Sequence, residues 1–269
     1  MANSKITGVI LAGGLGTRLR AVFPEKAKSV APVEGRPFIR FLLDQLAEAG
    51  LDRVVVCTGY RAGDVEKVLG SAYRGMRILY SMEDRPLGTG GALQQAYKRW
   101  GGGRTWLVMN GDSYAGIGLA EMLREHERTA ALATIAAVRV EDAARYGSIE
   151  IGADGRIAAF REKGVAASGW ISAGIYALAP AFLEAIPSRA PLSLEYDVFP
   201  EWIPRGLQAF ARRAPFIDIG TPESYAAAQS FFDAKLCAAK RFVLLDRDGT
   251  INVEKNYLSS PVELELLPG

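Results

Sequence analysis

Apolar positions along the chain switch between two periods. Residues 5–11 are a short, nearly unbroken apolar run ending in a glycine-rich turn, which predicts a buried strand. Residues 37–49 (PFIRFLLDQLAEA) space their apolar side chains three and four apart, and Gly50 follows where a helix would stop. The alternation continues with strand 53–58, helix 63–69, strand 76–81, helix 90–100 and strand 105–110, then a helix around 119–127 and a strand over 130–138. Such alternation predicts βαβ units and a mainly parallel sheet.

From Tyr146 the texture changes. Residues 148–151, a turn at Ala153-Asp154-Gly155-Arg156, and 157–161 read as a hairpin, with a further strand at 169–178. Short helices are expected at 180–186 and 196–203, strand pieces within 209–219, a helix over 223–238 and a last buried strand at 241–246. No internal repeat or low-complexity linker interrupts the chain. The expected fold is α/β: a doubly wound, mixed but mostly parallel, Rossmann-like sheet with helices on both faces and a β-rich half. It should occupy residues 1–238, with 239–269 beginning something separate.

Composition narrows the class. At 269 residues the chain is about 1.8 times the ~150-residue prior for one domain. Thirty-two Lys and Arg against 30 Asp and Glu give a net charge of +2, and 49% of residues are apolar. That balance excludes a disordered tail, a coiled coil or a strongly basic nucleic-acid binder. Two cysteines, Cys57 and Cys237, fit a reducing compartment better than a disulfide scaffold. The start, Met1-Ala2-Asn3-Ser4-Lys5, lacks a signal-peptide core, and the longest apolar run is half of the ~18 residues that suggest a membrane span. A soluble, cytoplasmic protein is expected, with neither membrane nor nucleic acid as partner and self-association left open.

The strongest chemical signal is Leu11-Ala12-Gly13-Gly14-Leu15-Gly16-Thr17-Arg18-Leu19-Arg20. A strand delivers three glycines, a hydroxyl and two guanidinium groups to the carboxyl end of a sheet, where α/β ligands bind. Glycines let backbone N–H groups approach phosphate, and arginine adds planar donors. The Rossmann pattern would need a small residue at Leu19, and the Walker A pattern would need Gly-Lys at Arg18-Leu19. Alone, the cluster fits a phosphate loop and a simple tight turn equally.

Lysines follow within Pro24-Glu25-Lys26-Ala27-Lys28-Ser29-Val30-Ala31-Pro32. The loop followed by a lysine four residues before a proline resembles the nucleoside-triphosphate:sugar-1-phosphate nucleotidyltransferases. The resemblance implies that residues 11–18 wrap a triphosphate and that Lys28 contacts phosphate at the reacting centre. The family has Pro-Lys there, whereas Ala27 precedes Lys28, so Lys26 stands as a rival. Glu83-Asp84-Arg85-Pro86-Leu87-Gly88-Thr89-Gly90-Gly91-Ala92 looks like the base-recognition segment, which implicates Glu83, Gly88, Thr89 and Gly90. The structural alternative is a loop capping a helix, with Thr89 as N-cap.

Asn110-Gly111-Asp112 and Asp218-Ile219-Gly220 each end an apolar strand in a carboxylate, 106 residues apart. Two such carboxylates suit Mg²⁺, though an aspartate beside glycine also marks a turn. In the family they hold the metal together. Tyr146-Gly147, Glu162-Lys163 and Gly169-Trp170-Ile171-Ser172-Ala173-Gly174 resemble the sugar-phosphate face. This implies that Gly147, Glu162 and Ser172 meet hydroxyls and that Lys163 holds the sugar's phosphate. The usual Asn is Ser172 here, and a plain Glu162–Lys163 ion pair is the other reading. Glu195 and Asp197 are expected nearby without a role.

The implied reaction is in-line attack by a sugar 1-phosphate on the α-phosphorus of a nucleoside triphosphate, with Mg²⁺, Arg18, Lys28 and Asp112 at the centre. The run from Pro32 to Glu223 looks most like the guanylyltransferases of D-glycero-D-manno-heptose 1-phosphate, which implies GTP. Mannose-1-phosphate guanylyltransferases and uridylyl- or thymidylyltransferases are the neighbouring alternatives. A separate segment, Leu244-Leu245-Asp246-Arg247-Asp248-Gly249-Thr250, resembles the first motif of haloacid-dehalogenase-type phosphatases, with Asp246 as phosphoryl acceptor and Asp248 as acid/base. It reads as the front of a truncated heptose-bisphosphate or histidinol-phosphate phosphatase domain, and no phosphatase activity is expected of this chain. A non-catalytic regulator of the same fold would be expected to have lost Lys28, Asp112 or Asp218, and all three are present. The single histidine, His126, sits on a charged helix and reads as solvated, which argues against His-based triads. Cys57 reads as core, and Arg212-Arg213 is too small a patch for nucleic acid.

Overall fold

The first apolar run forms β1 (Ile6–Leu11), buried until its last residue and followed by the extended glycine loop. A computed structural model describes residues 6–19, 22, 23, 27–162, 164, 168–238, 253 and 265, with backbone only for 233–238. A 3-10 turn (Lys28–Val30), the short pair β2 (Pro32–Val33) and β3 (Arg36–Pro37), and α1 (Ile39–Glu48) follow. Next come β4 (Arg53–Thr58), α2 (Ala62–Leu69), β5 (Ala72–Tyr73), β6 (Met76–Met82), α3 (Gly88–Trp100), β7 (Thr105–Asn110) and β8 (Ser113–Ala115). The second half holds α4 (Leu119–Thr129), β9 (Ala133–Val140), β10 (Ser148–Ile151), β11 (Ile157–Arg161), β12 (Gly169–Leu178) and α5 (Pro180–Glu184). A π-helical turn (Leu194–Val198), α6 (Phe199–Trp202), β13 (Gln208–Arg212), β14 (Phe216–Asp218) and α7 (Pro222–Ala238) complete it.

The main sheet has ten strands, in the order β11-β10-β12-β7-β1-β4-β6-β5, with β9 also paired to β12 and β13 paired to β9. β7, β1, β4 and β6 are parallel, as βαβ crossovers require. β12 runs antiparallel to both β7 and β9 and joins this half to the β-rich one. The sheet is therefore mixed and doubly wound, parallel where the glycine loop emerges. Helices cover both faces. One face packs against α1, α4 and α7, where Phe41 and Phe232 stack at 3.9 Å. The other packs against α3, α5 and α6 around Trp106, Phe182 and Phe199. Strands buried on both faces explain the continuous apolar runs that stand out in the sequence.

Three expectations need correction. The strand expected from residue 130 starts at Ala133, because Ala130 takes a left-handed conformation (φ 49°) and caps α4. The helix expected over 196–203 starts earlier, at Leu194, where the Ser193 hydroxyl accepts from the Tyr196 N–H. His126 is not solvated. It is 4% exposed, on the face of α4 turned to β9, with Nδ1 2.8 Å from the Thr134 hydroxyl. Burial lowers its imidazole to about 4.

By contact clustering the chain divides into two compact units, 1–232 and 233–269. In the second, the Val253 N–H donates to the Glu265 carbonyl at 2.8 Å. Lys26, Lys163, Asp246 and Asp248 lie outside the described residues, as does the strand expected at 241–246.

Candidate active site

Parallel strands β1 and β7 run side by side, with Leu11 in register with Asn110, so the glycine loop and the Asn110-Gly111-Asp112 turn leave the sheet together. The Gly111 N–H donates to the Leu11 carbonyl at 2.9 Å. On the other side of the loop, Glu83 at the end of β6 accepts from the Leu87 N–H at 3.0 Å, and a Cβ on residue 13 would collide with its Oε1. Burial raises the Glu83 carboxyl above its ordinary range, and the Leu87 bond opposes that rise. Gly88 opens α3 with φ +74°, and a Cβ there would strike the Leu192 backbone.

A cavity of about 270 Å³ lies against this loop, lined by Leu11, Gly13, Gly14, Glu83, Gly88 and Thr89, among others. A larger cavity of about 700 Å³ opens toward the β-rich half. Arg18, Lys28, Gly147, Glu162, Ser172 and Asp218 line it, as do Arg145, Tyr146 and Glu195. Thr89, Asn110 and Asp112 line both, so the two spaces adjoin.

Lys28 stands at that junction. Its Nζ is 2.6 Å from Asp112 Oδ2, with the lysine side chain 15% exposed and the aspartate 42%. Burial pushes the Asp112 carboxyl up, but the Lys28 ammonium and the Ser113 hydroxyl outweigh it and hold the group below its usual range. Asp218 arrives from the far end of the sequence because β14 pairs antiparallel with β8, which sets Asp218 opposite Ser113. The Ile219 N–H closes the pairing on the Asp112 carbonyl at 2.9 Å. Gly220 fits between Asp218 and Lys28: a Cβ on it would lie 2.5 Å from Asp218 Oδ1 and 3.7 Å from Lys28 Nζ. Asp218 accepts from the Tyr146 hydroxyl (2.7 Å), the Gly220 N–H (2.6 Å) and the Ser224 hydroxyl (3.1 Å).

The structure thus brings Arg18, Lys28, Asp112 and Asp218 to one cavity wall, although 106 residues separate the two aspartates. Four loop residues stand apart from both cavity linings. The Ala12 N–H is spent on the Cys57 carbonyl and the Gly90 N–H on Leu192, each at 2.8 Å; Gly16 packs on Lys28 Cβ, and Thr17 is exposed. Thr89 is not an N-cap. Leu87 holds that position without a side-chain bond, while the Thr89 hydroxyl accepts from the Leu194 N–H and donates to Glu195. On the hairpin Arg161 pairs with Glu150 at 2.8 Å, and the alternative Glu162–Lys163 pair involves Lys163, outside the described residues.

A carboxylate hub was not legible in the sequence. Glu195 accepts from Thr89 (3.1 Å), Asn110 (3.3 Å), Tyr176 (2.7 Å) and Ser193 (3.3 Å). Its donors come from α3, β7, β12 and the turn before the π-helix. The only sequence signal was its closeness to the β-rich half.

Fold and site together define a nucleotidyltransferase: a doubly wound sheet, a glycine loop at its carboxyl edge, and a lysine between two strand-end carboxylates. The chain belongs to the nucleotidyl transferase family, whose match spans residues 7–235. It is 36% identical to a D-glycero-alpha-D-manno-heptose 1-phosphate guanylyltransferase of Aneurinibacillus thermoaerophilus, over 82% of this chain and 96% of the relative. It is 33% identical to a mannose-1-phosphate guanylyltransferase of Mycobacterium tuberculosis, over 84% of this chain but 64% of that longer protein. Among solved structures, HddC of Yersinia pseudotuberculosis superposes with a TM-score of 0.75 at 33% identity, covering 84% of this chain and 99% of that one. The same protein complexed with GMP-PN gives a TM-score of 0.74. Among the described residues, no helix is long and apolar enough to cross a membrane.

Proposed function

We propose that the protein joins the nucleotidyl group of GTP to D-glycero-α-D-manno-heptose 1-phosphate, giving a GDP-sugar and pyrophosphate. One observation carries this reading: two adjoining cavities, one against a glycine loop and one against the β-rich half, meet at the Lys28–Asp112 pair. That is the arrangement a two-substrate phosphoryl-type transfer requires. The choice of base and sugar is supported by the guanylyltransferase relatives and by the structural neighbour complexed with GMP-PN.

In the proposed reaction a phosphate oxygen of the sugar phosphate attacks the α-phosphorus in line. One P–O bond forms, the bond to the β-phosphate breaks, and pyrophosphate leaves with the electron pair. The attacking phosphate is already ionised, so no general base is needed, and buried His126 takes no part. The loop over residues 11–18 cradles the triphosphate through backbone N–H groups. Arg18 and Lys28 draw charge off the reacting phosphates, and alignment with charge neutralisation supplies most of the acceleration. Glu83, Gly88 and Thr89 form the base side of the smaller cavity, and Gly90 stands behind them with its N–H on the Leu192 carbonyl. Gly147, Glu162 and Ser172 line the larger cavity and are assigned to the sugar phosphate, and the family resemblance assigns Lys163 to its phosphate group. Both substrates suit a cytoplasmic enzyme.

Asp112 and Asp218 fit a divalent cation. Both carboxylates are strand-end groups on one cavity wall, and the donors are oxygens only, as Mg²⁺ prefers. Mg²⁺ takes one or two carboxylates and completes its shell with water and phosphate oxygens. Bound there, Mg²⁺ would neutralise phosphate charge.

Mannose 1-phosphate is the second reading, favoured by the 33% identical mannose-1-phosphate guanylyltransferase. Pyrophosphate release with Mg²⁺, measured for GTP, CTP, UTP, dTTP and ATP against heptose-, mannose- and glucose-1-phosphate, separates the readings. Turnover confined to GTP and the heptose phosphate is the expected result. Turnover with another pair retires the substrate assignment and keeps the reaction, and silence from folded protein retires both.

A further inference from the structure

Asp112 and Asp218 are held in different ways. Asp112 is paired with Lys28, whereas among the described residues Asp218 accepts from uncharged donors: the Tyr146 hydroxyl on Oδ2, and the Gly220 N–H with the Ser224 hydroxyl on Oδ1. An ionised carboxylate has about four acceptor positions, and the described residues fill three of them. Neutral donors fix the orientation of such a group without cancelling its charge, which suits a carboxylate that is to meet an external cation.

Tyr146 is itself held firmly. Its ring meets Phe216, two residues before Asp218 on β14, edge-on at 5.4 Å, and the Arg145 guanidinium lies 5.5 Å from its centroid. Ser224 is 3% exposed and is fixed by reciprocal bonds with Thr221 at the start of α7. The next residue after Tyr146, Gly147, lines the cavity assigned to the sugar phosphate.

We infer that Tyr146 is a positioning residue, whose hydroxyl sets the Asp218 carboxylate for the divalent cation and ties it to the strand that faces the sugar phosphate. The inference rests on the cation role of Asp218 in the proposed function. Groups that orient a metal ligand from behind cost ~10–100-fold in metal affinity when removed. The test is Mn²⁺ affinity, read by electron paramagnetic resonance on protein saturated with a non-hydrolysable GTP analogue, together with sugar-phosphate KM at saturating Mg²⁺. Tyr146→Phe should weaken Mn²⁺ binding ~10–100-fold, while the sugar-phosphate KM moves little. Ser224→Ala, which removes a donor from the other oxygen without touching the sugar cavity wall, should weaken Mn²⁺ binding in the same direction. Thermal unfolding of each variant identifies any loss that comes from misfolding.

Asp218→Ala is the control that separates the two claims. If Asp218→Ala destroys Mn²⁺ binding and Tyr146→Phe leaves it intact while raising the sugar-phosphate KM, Tyr146 is a wall of the sugar site and the inference is overturned. If Asp218→Ala itself leaves Mn²⁺ affinity unchanged, the cation role assigned to Asp218 fails, and the inference falls with it.

Discussion

Replacing Lys28 with alanine removes the ammonium that pairs with Asp112 on the cavity wall shared with Asp218. At 2.6 Å from Asp112, with its side chain 15% exposed, that charge is held at the cavity wall in fixed geometry. A unit charge pair about 4 Å apart, at an effective dielectric of ~20, interacts by about 4 kcal/mol before desolvation. Redirected to phosphoryl oxygens during transfer, a preorganised donor of this kind contributes about 2.7–4 kcal/mol, or ~10²–10³ in rate. Lys28→Ala should therefore lower kcat by ~10²–10³ in a continuous pyrophosphate-release assay at saturating Mg²⁺, with nucleotide binding retained in part. Lys26→Ala should stay close to wild type. A large loss in Lys26→Ala with a small one in Lys28→Ala would refute the assignment, because the phosphate-contacting lysine would then be the other one.

Three further outcomes follow from side chains already placed. A Cβ on Gly13 would collide with Glu83, whereas nothing lies within 4 Å of one on Gly14, so Gly13→Ala should raise the nucleotide KM sharply and Gly14→Ala much less; equal KM values would contradict the packing. Glu195→Gln puts a donor among the four donors that now meet a carboxylate, and should raise the sugar-phosphate KM more than the GTP KM, with Glu195→Asp partly rescuing it. His126 is buried neutral with its imidazole lowered to about 4, below the unfolded value near 6.5. Its contribution is full above that upper value and is lost as pH falls toward 4, by about 1.4 kcal/mol per unit at most. Urea unfolding across this window should show a steeper acid loss in wild type than in His126→Gln, and parallel curves would contradict the burial.

Most of the fold was legible because its strands are buried on both faces. β4, β7 and β12 have the expected bounds, since a continuous apolar run ends only where the sheet ends. The glycine loop, Lys28, Asp112 and Asp218 were legible from short motifs, but their meeting was not. It depends on β14 pairing with β8, and no local pattern encodes a strand pairing across more than a hundred residues. The alternative reading of Thr89 as a helix cap fails for a related reason: its hydroxyl serves Leu194 and Glu195, partners about 105 positions away. The Glu195 hub draws donors from four separate elements and left no local mark. His126 misled because charged neighbours on the sequence (Arg124, Glu125, Glu127, Arg128) hide that one face of α4 turns inward.

The most direct test of the central claim follows the phosphorus atom. GTP labelled at the α-phosphate is incubated with the protein, Mg²⁺ and D-glycero-α-D-manno-heptose 1-phosphate, and the products are separated. The account predicts that the label enters a GDP-sugar in step with unlabelled pyrophosphate, only when the sugar phosphate is present. Label appearing as free GMP, or pyrophosphate released at the same rate without the sugar phosphate, would contradict it.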